Sequence, residues 1–270
     1  MTATGRNLAG KAYRTAGEYY TPIEVAAAIV GWLAPFFGPA DTFFEGHVGG
    51  GAFVRALLDV GVDPIRIEVM DVDPFAPGLA LARAAGCIVT PTRPARSVAE
   101  AGLLVTPPSR RPTWSIINPP YSVVDRETGP PCKRCAGRGF LTLDPTPIVE
   151  PCSKCQGTGI KPRRITVAEL HVRECLSFSR HVVALLPDKF LGSDQRNSPD
   201  SQRYPVEEPE RVFEGATPLF RLDRLRAKRC LYPRVSFTGG GTDSAENYAY
   251  WFDAEHGRPT FSGGWLGWKS

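Results

Sequence analysis

Residues 41–71 constrain the fold more than any other part of the chain. A short apolar stretch, DTFF at 41–44, runs into a glycine cluster at Gly46, Gly49, Gly50 and Gly51. An amphipathic segment, AFVRALLDV, follows at once, and then a second apolar run, IRIEVM, that ends in Asp71 and Asp73. Strand, glycine-rich turn, helix and strand in this order predict a parallel βαβ unit. Further strands are predicted at 87–90, 114–117, 181–186, 234–237 and 248–253. Helices are predicted at 21–37 and 167–179. In the first of these, Thr21 is the expected N-cap, Pro22 the first helical residue and Glu24 a favourable first-turn acid. The pattern is that of an α/β protein with a mainly parallel sheet.

The 270 residues suffice for one substantial core and a small appendage. Hydrophobic residues make up 42% and charged residues 22%, so the composition is that of a globular protein rather than a disordered one. No apolar run approaches bilayer length, and 1–14 have no apolar core of the signal-peptide kind. A cytosolic protein is therefore expected, in which seven cysteines serve as thiols or metal ligands rather than disulfides. The net charge of +4 is mild, but it is unevenly spread. Residues 221–234 carry six Lys or Arg against one acid, and Lys161, Arg163 and Arg164 form a second basic run. Either run suits a phosphate backbone or a solvated face.

Two stretches interrupt the α/β rhythm. Residues 125–164 are rich in Gly, Pro, Cys and charge and read as an insert, whereas 192–216 are polar and read as a mobile surface segment. The expected division is 1–124 and 165–270 as two parts of one core, with 125–164 inserted between them. A nucleic-acid contact segment is expected at 192–234.

The first βα turn, Glu45-Gly46-His47-Val48-Gly49-Gly50-Gly51, lets a ligand approach the backbone at a helix N-terminus. Asp71 lies about 20 residues on, where a carboxylate can accept from ribose hydroxyls. These features suit nicotinamide, flavin or adenosylmethionine alike. His47 is expected to be a loop residue without a chemical role. Asn118-Pro119-Pro120-Tyr121 is more selective. It follows a predicted strand, at the edge where ligands bind in such sheets. Its two prolines stiffen the backbone, so the Asn118 side chain and the Pro119 carbonyl can present two acceptors to one amino group. Tyr121 offers a flat face for a base.

In these residues the chain resembles the amino-methyltransferases that act on adenine or cytosine in DNA, and the Asn form of the tetrapeptide resembles the adenine enzymes. Glu18-Tyr19-Tyr20-Thr21-Pro22 is similar to the family's N-terminal cofactor motif, 44–53 to its glycine motif, and Met70-Asp71-Val72-Asp73-Pro74 to its ribose motif. Val183-Ala184-Leu185-Leu186-Pro187 with Phe190 is similar to the strand and loop lining its base pocket. The resemblance covers about 18–121 and 165–255. It implies a Rossmann-like class I methyltransferase sheet flanked by helices, S-adenosylmethionine as cofactor, and DNA or RNA as partner. It further implies cofactor contacts from Tyr20, Thr21, Pro22, Glu45, Gly49, Gly51 and Asp71, catalysis at Asn118, Pro119, Pro120 and Tyr121, and base stacking by Tyr121 and Phe190. The leading reading is methylation of adenine N6 in DNA; the same chemistry on RNA or on a protein glutamine, or a non-catalytic nucleic-acid-binding module, are the competing readings. In one place the pattern departs: the third strand, 87–92, lacks the family's frequent adenine-binding acid, leaving that contact to a backbone amide or Thr90.

Within the insert, Cys132-Lys-Arg-Cys135-Ala-Gly-Arg-Gly139 and Cys152-Ser-Lys-Cys155-Gln-Gly-Thr-Gly159 repeat one pattern, with 16 residues between the CxxC pairs. Four such cysteines can wrap a tetrahedral ion, and one structural zinc is expected on Cys132, Cys135, Cys152 and Cys155. Disulfides or loose thiols are the alternative. The repeat resembles the cysteine-rich repeats of DnaJ-type chaperones, from which only zinc binding is carried over. A short hairpin is expected between the knuckles. Cys87, Cys175 and Cys230 read as packed thiols.

Overall fold

The computed structural model describes residues 20–91, 108–125, 130–142, 149–161, 163–166, 168–187, 190, 225–232, 235, 247–255 and 265–267. In chain order these form α1 (Ile23–Leu33), β1 (Phe43–Glu45), α2 (Ala52–Asp59), β2 (Ile67–Val69), α3 (Pro77–Ala85), β3 (Ile88–Val89) and β4 (Trp114–Ile117). Then come β5 (Ser122–Asp125), β6 (Phe140–Thr142), β7 (Val149–Pro151), β8 (Arg163–Thr166), α4 (Ala168–Phe178), β9 (His181–Pro187), β10 (Leu225–Tyr232), β11 (Asn247–Asp253) and β12 (Trp265–Gly267).

Eight strands make one sheet in the order β12-β10-β11-β9-β4-β1-β2-β3. Within it β11 is antiparallel to both neighbours, and every other pair is parallel. β1, β2 and β4 are buried along their whole length, as parallel strands covered on both faces must be. One core cluster joins Val25, Ile29 and Leu33 of α1 to Phe53 and Leu57 of α2 and to Trp114, Val183 and Trp251 of the sheet. A second joins Val172 and Cys175 of α4 to Ile117, Val182, Leu186, Tyr250 and Phe252. No helix among the described residues is long and apolar enough to cross a membrane.

Strand order reverses between β1 and β4. The chain after β1 proceeds to β2 and β3 on one side, while β4 leads to β9 and β11 on the other. The divergence opens a crevice at the carboxyl ends of β1 and β4, where such sheets bind ligands.

Some expectations are corrected. Pro22, not Thr21, is the N-cap of α1, without a side-chain cap bond, and the α-helix ends at Leu33 before a single 3₁₀ turn, because Pro35 cannot donate to a continuing helix. The strand expected at 234–237 is found at β10 instead, while Val235, the described residue of that stretch, lies outside any strand. β10 occupies part of the basic run. Its cations rest on aromatic rings: Arg226 lies 4.5 Å from the Trp251 ring centre, Lys228 3.6 Å from Tyr248 and Arg229 5.0 Å from Trp32. Such contacts let a charged strand pack on a sheet. Residues 191–224, including the predicted polar segment, lie outside the described residues.

Between Tyr121 and α4 the chain makes an excursion. β5 and β8 pair antiparallel, with Ser122 opposite Thr166, and form a two-stranded ribbon. β6 and β7 form a second ribbon, the hairpin expected between the cysteine knuckles.

Candidate cofactor pocket and four-cysteine centre

The loop after β1 is tied down from several directions. Val48 donates to the Met70 carbonyl (3.2 Å) and Gly51 to the Val48 carbonyl (2.7 Å). Asp71 Oδ2 accepts from the Gly49 amide at 2.8 Å, and Oδ1 accepts from the Asp73 amide at 2.9 Å. Gly78 of α3 donates to the Gly49 carbonyl at 2.8 Å, and a Cβ at Gly78 would lie 2.7 Å from the Gly51 nitrogen. Only glycine at 78 permits this approach. Asp71 thus has a structural task at the loop besides the ribose contact expected of it.

One pocket is lined by Tyr20, Thr21, Glu45, His47, Val48, Gly49, Gly50, Ala52 and Asn118. Of the residues expected to bind cofactor or act in catalysis, Tyr20, Thr21, Glu45, Gly49 and Asn118 meet there. Asp71 and Gly51 are not among the lining residues, but each is bonded to the loop that forms the wall. Asn118 Nδ2 donates to Thr21 Oγ1 at 3.1 Å, so the tetrapeptide and the N-terminal motif are joined directly across 97 positions of sequence. Tyr121 packs on the second core cluster, and its hydroxyl lies 3.5 Å from Asn247 Oδ1. Phe190 is buried, its ring 6.0 Å from Tyr250. Of the two expected stacking residues, Tyr121 is the one partly exposed.

The electrostatics of the pocket centre on Glu45. Its side chain is buried, and burial, reinforced by the nearby Asp71 charge, raises its carboxyl well above the usual range, against a hydrogen bond from the Val54 amide. That amide belongs to the first turn of α2, whose donors have no partner within the helix. Glu45 Oε2 has no hydrogen-bond partner among the described residues. A buried carboxyl oxygen without a partner, beside a second carboxylate, fits a ligand bearing positive charge.

His47 lies in the loop after β1, as expected, and lines the pocket. It is half-buried against α4, with Nε2 3.1 Å from His171 Nδ1, and desolvation pushes its pKa down to about 4. The sequence offered only a faint signal: His47 and His171 are two of four histidines in the chain, and 124 positions separate them. At the third strand, the Thr90 hydroxyl donates to Glu68 Oε1 and its amide donates to the Val69 carbonyl (3.0 Å). Both Thr90 donors are thus engaged within the sheet edge.

The four-cysteine centre is built from two matching halves. Cys132 donates its amide to the Gly159 carbonyl at 2.7 Å, and Cys152 to the Gly139 carbonyl at 2.8 Å. Gly139 and Gly159 both have positive φ, and a Cβ on either would lie 2.2 Å from the carbonyl oxygen of Gly157 or Gly137 respectively. The glycines therefore let two knuckles pack back to back. All four Sγ atoms are buried and within 4.8 Å of one another. Cys132 and Cys152 are 3.9 Å apart at sulfur, Cys135 and Cys155 3.7 Å, and none is in a disulfide. Zinc–sulfur bonds of about 2.3 Å in a tetrahedron demand an edge of about 3.8 Å. The donor set therefore fits zinc in both chemistry and spacing. Backbone amides of Cys155 and Lys154 hold the Cys152 thiol down to about 7, towards the thiolate a metal needs. Lys133, Arg134, Arg138 and Lys154 are exposed around the centre.

No protein-family model matches the sequence, and no curated protein does. Solved structures do. A class I S-adenosylmethionine-dependent methyltransferase from Listeria monocytogenes matches at a TM-score of 0.50 and 11% identity, over 93% of this chain and 67% of that one. The methyltransferase subunit of a type I restriction–modification system from Streptococcus thermophilus matches at 0.45 and 14%, over 93% and 48%. An RNA methyltransferase from Pyrococcus horikoshii matches at 0.44 and 12%, over 87% and 86%. This chain spans about half the length of the restriction–modification subunit. Its fold is the Rossmann-like fold of the class I S-adenosylmethionine-dependent methyltransferases.

Proposed function

We propose that the chain transfers a methyl group from S-adenosylmethionine to the exocyclic N6 amino group of adenine in DNA. The observation that carries this reading is that Glu45, Gly49 and Thr21 share one pocket with Asn118. A site for a charged ligand and a site for an amino group thus lie side by side.

Glu45, the glycine loop, Tyr20, Thr21 and Asp71 would hold the cofactor. It supplies an electrophilic methyl group on a sulfonium. A base in a duplex must leave its stack to enter the pocket, at a cost of about a few kcal/mol. Asn118 Oδ1 and the Pro119 carbonyl accept its two amino hydrogens, which draws the nitrogen lone pair out of conjugation and towards the methyl. Thr21, by accepting from Asn118 Nδ2, sets which end of that amide faces the amine. Tyr121 stacks on the base. In-line displacement needs little beyond positioning and electrostatics, because the ammonium that forms is itself acidic.

Zinc on the four cysteines is part of the proposal. So is the grip of Lys133, Arg134, Arg138 and Lys154 on the phosphate backbone beside the pocket, since the excursion leaves the core directly after Tyr121. The proposed units are 1–124 and 165–270 as two parts of one core, with 125–164 inserted between them. Methyl transfer from labelled cofactor to DNA, RNA and protein, measured side by side, tests the reading. Label in N6-methyladenine of DNA is expected. Label in RNA or in protein glutamine alone would replace the substrate. Cofactor binding with transfer to none of the three would leave a nucleic-acid-binding module.

A further inference from the structure

Glu45 and His47 flank a single glycine, both line the pocket, and each has one buried polar atom that finds no partner among the described residues. These atoms are Glu45 Oε2 and His47 Nδ1. Buried polar atoms in native proteins are satisfied by protein, water or ligand, so two orphans on one stretch of pocket wall indicate a ligand group that serves both. The other nitrogen of His47 is engaged: Nε2 faces His171 Nδ1 at 3.1 Å, with the rings nearly perpendicular at 87° and their centres 4.4 Å apart. Desolvation lowers the His47 pKa to about 4, so the ring is neutral at physiological pH and carries one N–H and one lone pair. We take the tautomer in which Nε2 carries the N–H and directs it to His171, which leaves the lone pair at Nδ1. A carboxylate oxygen and an imidazole lone pair together call for a group with several N–H donors and a positive charge, which is an ammonium.

We propose that His47 binds the α-ammonium group at the amino-acid end of the cofactor, accepting one N–H at Nδ1 while Glu45 Oε2 accepts another. The proposal rests on the adenosylmethionine reading of the pocket. Tyr20 lies over the same loop, since a Cβ at Gly49 would fall 2.8 Å from its ring.

Calorimetry on the full chain tests it with two probes. Adenosylhomocysteine carries the ammonium, and 5′-methylthioadenosine lacks the amino-acid end. His47→Leu is expected to weaken adenosylhomocysteine about tenfold, the size of one hydrogen bond to a charged group, and to leave 5′-methylthioadenosine unchanged. His47→Asn, whose amide oxygen can stand near the Nδ1 position, regains most of the loss. Equal weakening of both probes overturns the proposal in favour of loop packing, and so does an unchanged affinity for adenosylhomocysteine. A wild-type chain that binds neither probe overturns the cofactor reading itself and this inference with it. Nitrogen NMR of the unaltered protein supplies a readout independent of any variant. The Nδ1 resonance of His47 moves with adenosylhomocysteine and not with 5′-methylthioadenosine, and a resonance indifferent to both overturns the contact.

Discussion

Replacing Asp71 by alanine removes the carboxylate that ties the loop after β1 to the loop after β2. Its two oxygens accept from the Gly49 and Asp73 amides, at 2.8 and 2.9 Å. A hydrogen bond to a charged group contributes about 1.5–3 kcal/mol. Asp71 is only partly buried, so the lower figure applies to each bond, for a loss of about 3 kcal/mol. In a protein of this size 1 kcal/mol moves Tm by about 2–4 °C, so the empty protein should melt about 6 °C or more below wild type. Asp71→Asn should lose about half as much, because an amide oxygen keeps one acceptor and removal of the charge relieves Glu45. A carboxylate has about four lone-pair sites, so the two backbone bonds leave capacity for ribose hydroxyls. Both variants should therefore also bind adenosylmethionine more weakly. Thermal denaturation by near-ultraviolet dichroism without ligand, followed by calorimetry with ligand, separates the two roles. An Asp71→Ala protein melting within about 1 °C of wild type, yet binding cofactor poorly, would refute the loop-anchor argument.

Asn118→Ala should abolish most methyl transfer while leaving cofactor affinity nearly intact, and near wild-type turnover would remove Asn118 from catalysis. Thr21→Val should lower kcat by about three- to tenfold, the worth of one neutral hydrogen bond, with Thr21→Ser close to wild type; a raised cofactor KM at unchanged kcat would count against its positioning role. Glu45 has a raised folded-state pKa, so it binds a proton in the native chain where the unfolded chain has lost it, and stability falls as pH rises from about 4.3 through the native value. Urea midpoints of Glu45→Gln should lack this decline and exceed wild type at neutral pH, at the expense of adenosylmethionine binding; parallel pH curves would refute it. Chelation or Cys152→Ser should disorder the cysteine knuckles and weaken DNA binding while adenosylmethionine still binds, and elemental analysis should find about one zinc per chain.

The elements that sequence located best are those whose pattern is local. The strand at 114–117 matches β4 at both ends, and α4 lies one residue inside the predicted 167–179 at each end, because apolar run length and helical spacing are decided by neighbours. The strand at 225–232 was hidden because its stabilising contacts are remote. Arg226, Lys228 and Arg229 read as a solvated or phosphate-binding run until Trp251, Tyr248 and Trp32 are placed against them by the sheet. α3 escaped notice for a different reason: PGLALARAA is short, opens on proline and is stopped by Gly86. At the pocket, the glycine loop, Asn118 and Asp71 were legible as residues with suggestive neighbours. The Asn118–Thr21 bond and the His47–His171 pair were not, since each joins segments that only tertiary folding brings together.

The pairing of Ser122 with Thr166 has a consequence for how such a chain can change. Opposed residues of an antiparallel pair sit about 5 Å apart, so the strand that leaves the core and the strand that re-enters it are a single short step from each other. Everything between them could be cut out and the ends rejoined by a two-residue turn, without lengthening or twisting the path from β4 to α4. Equally, a foreign segment could be spliced in at the same address, provided its own ends lie close together. The excursion is thus a socket in the fold: what is plugged in there can be exchanged while the sheet and its crevice keep their path.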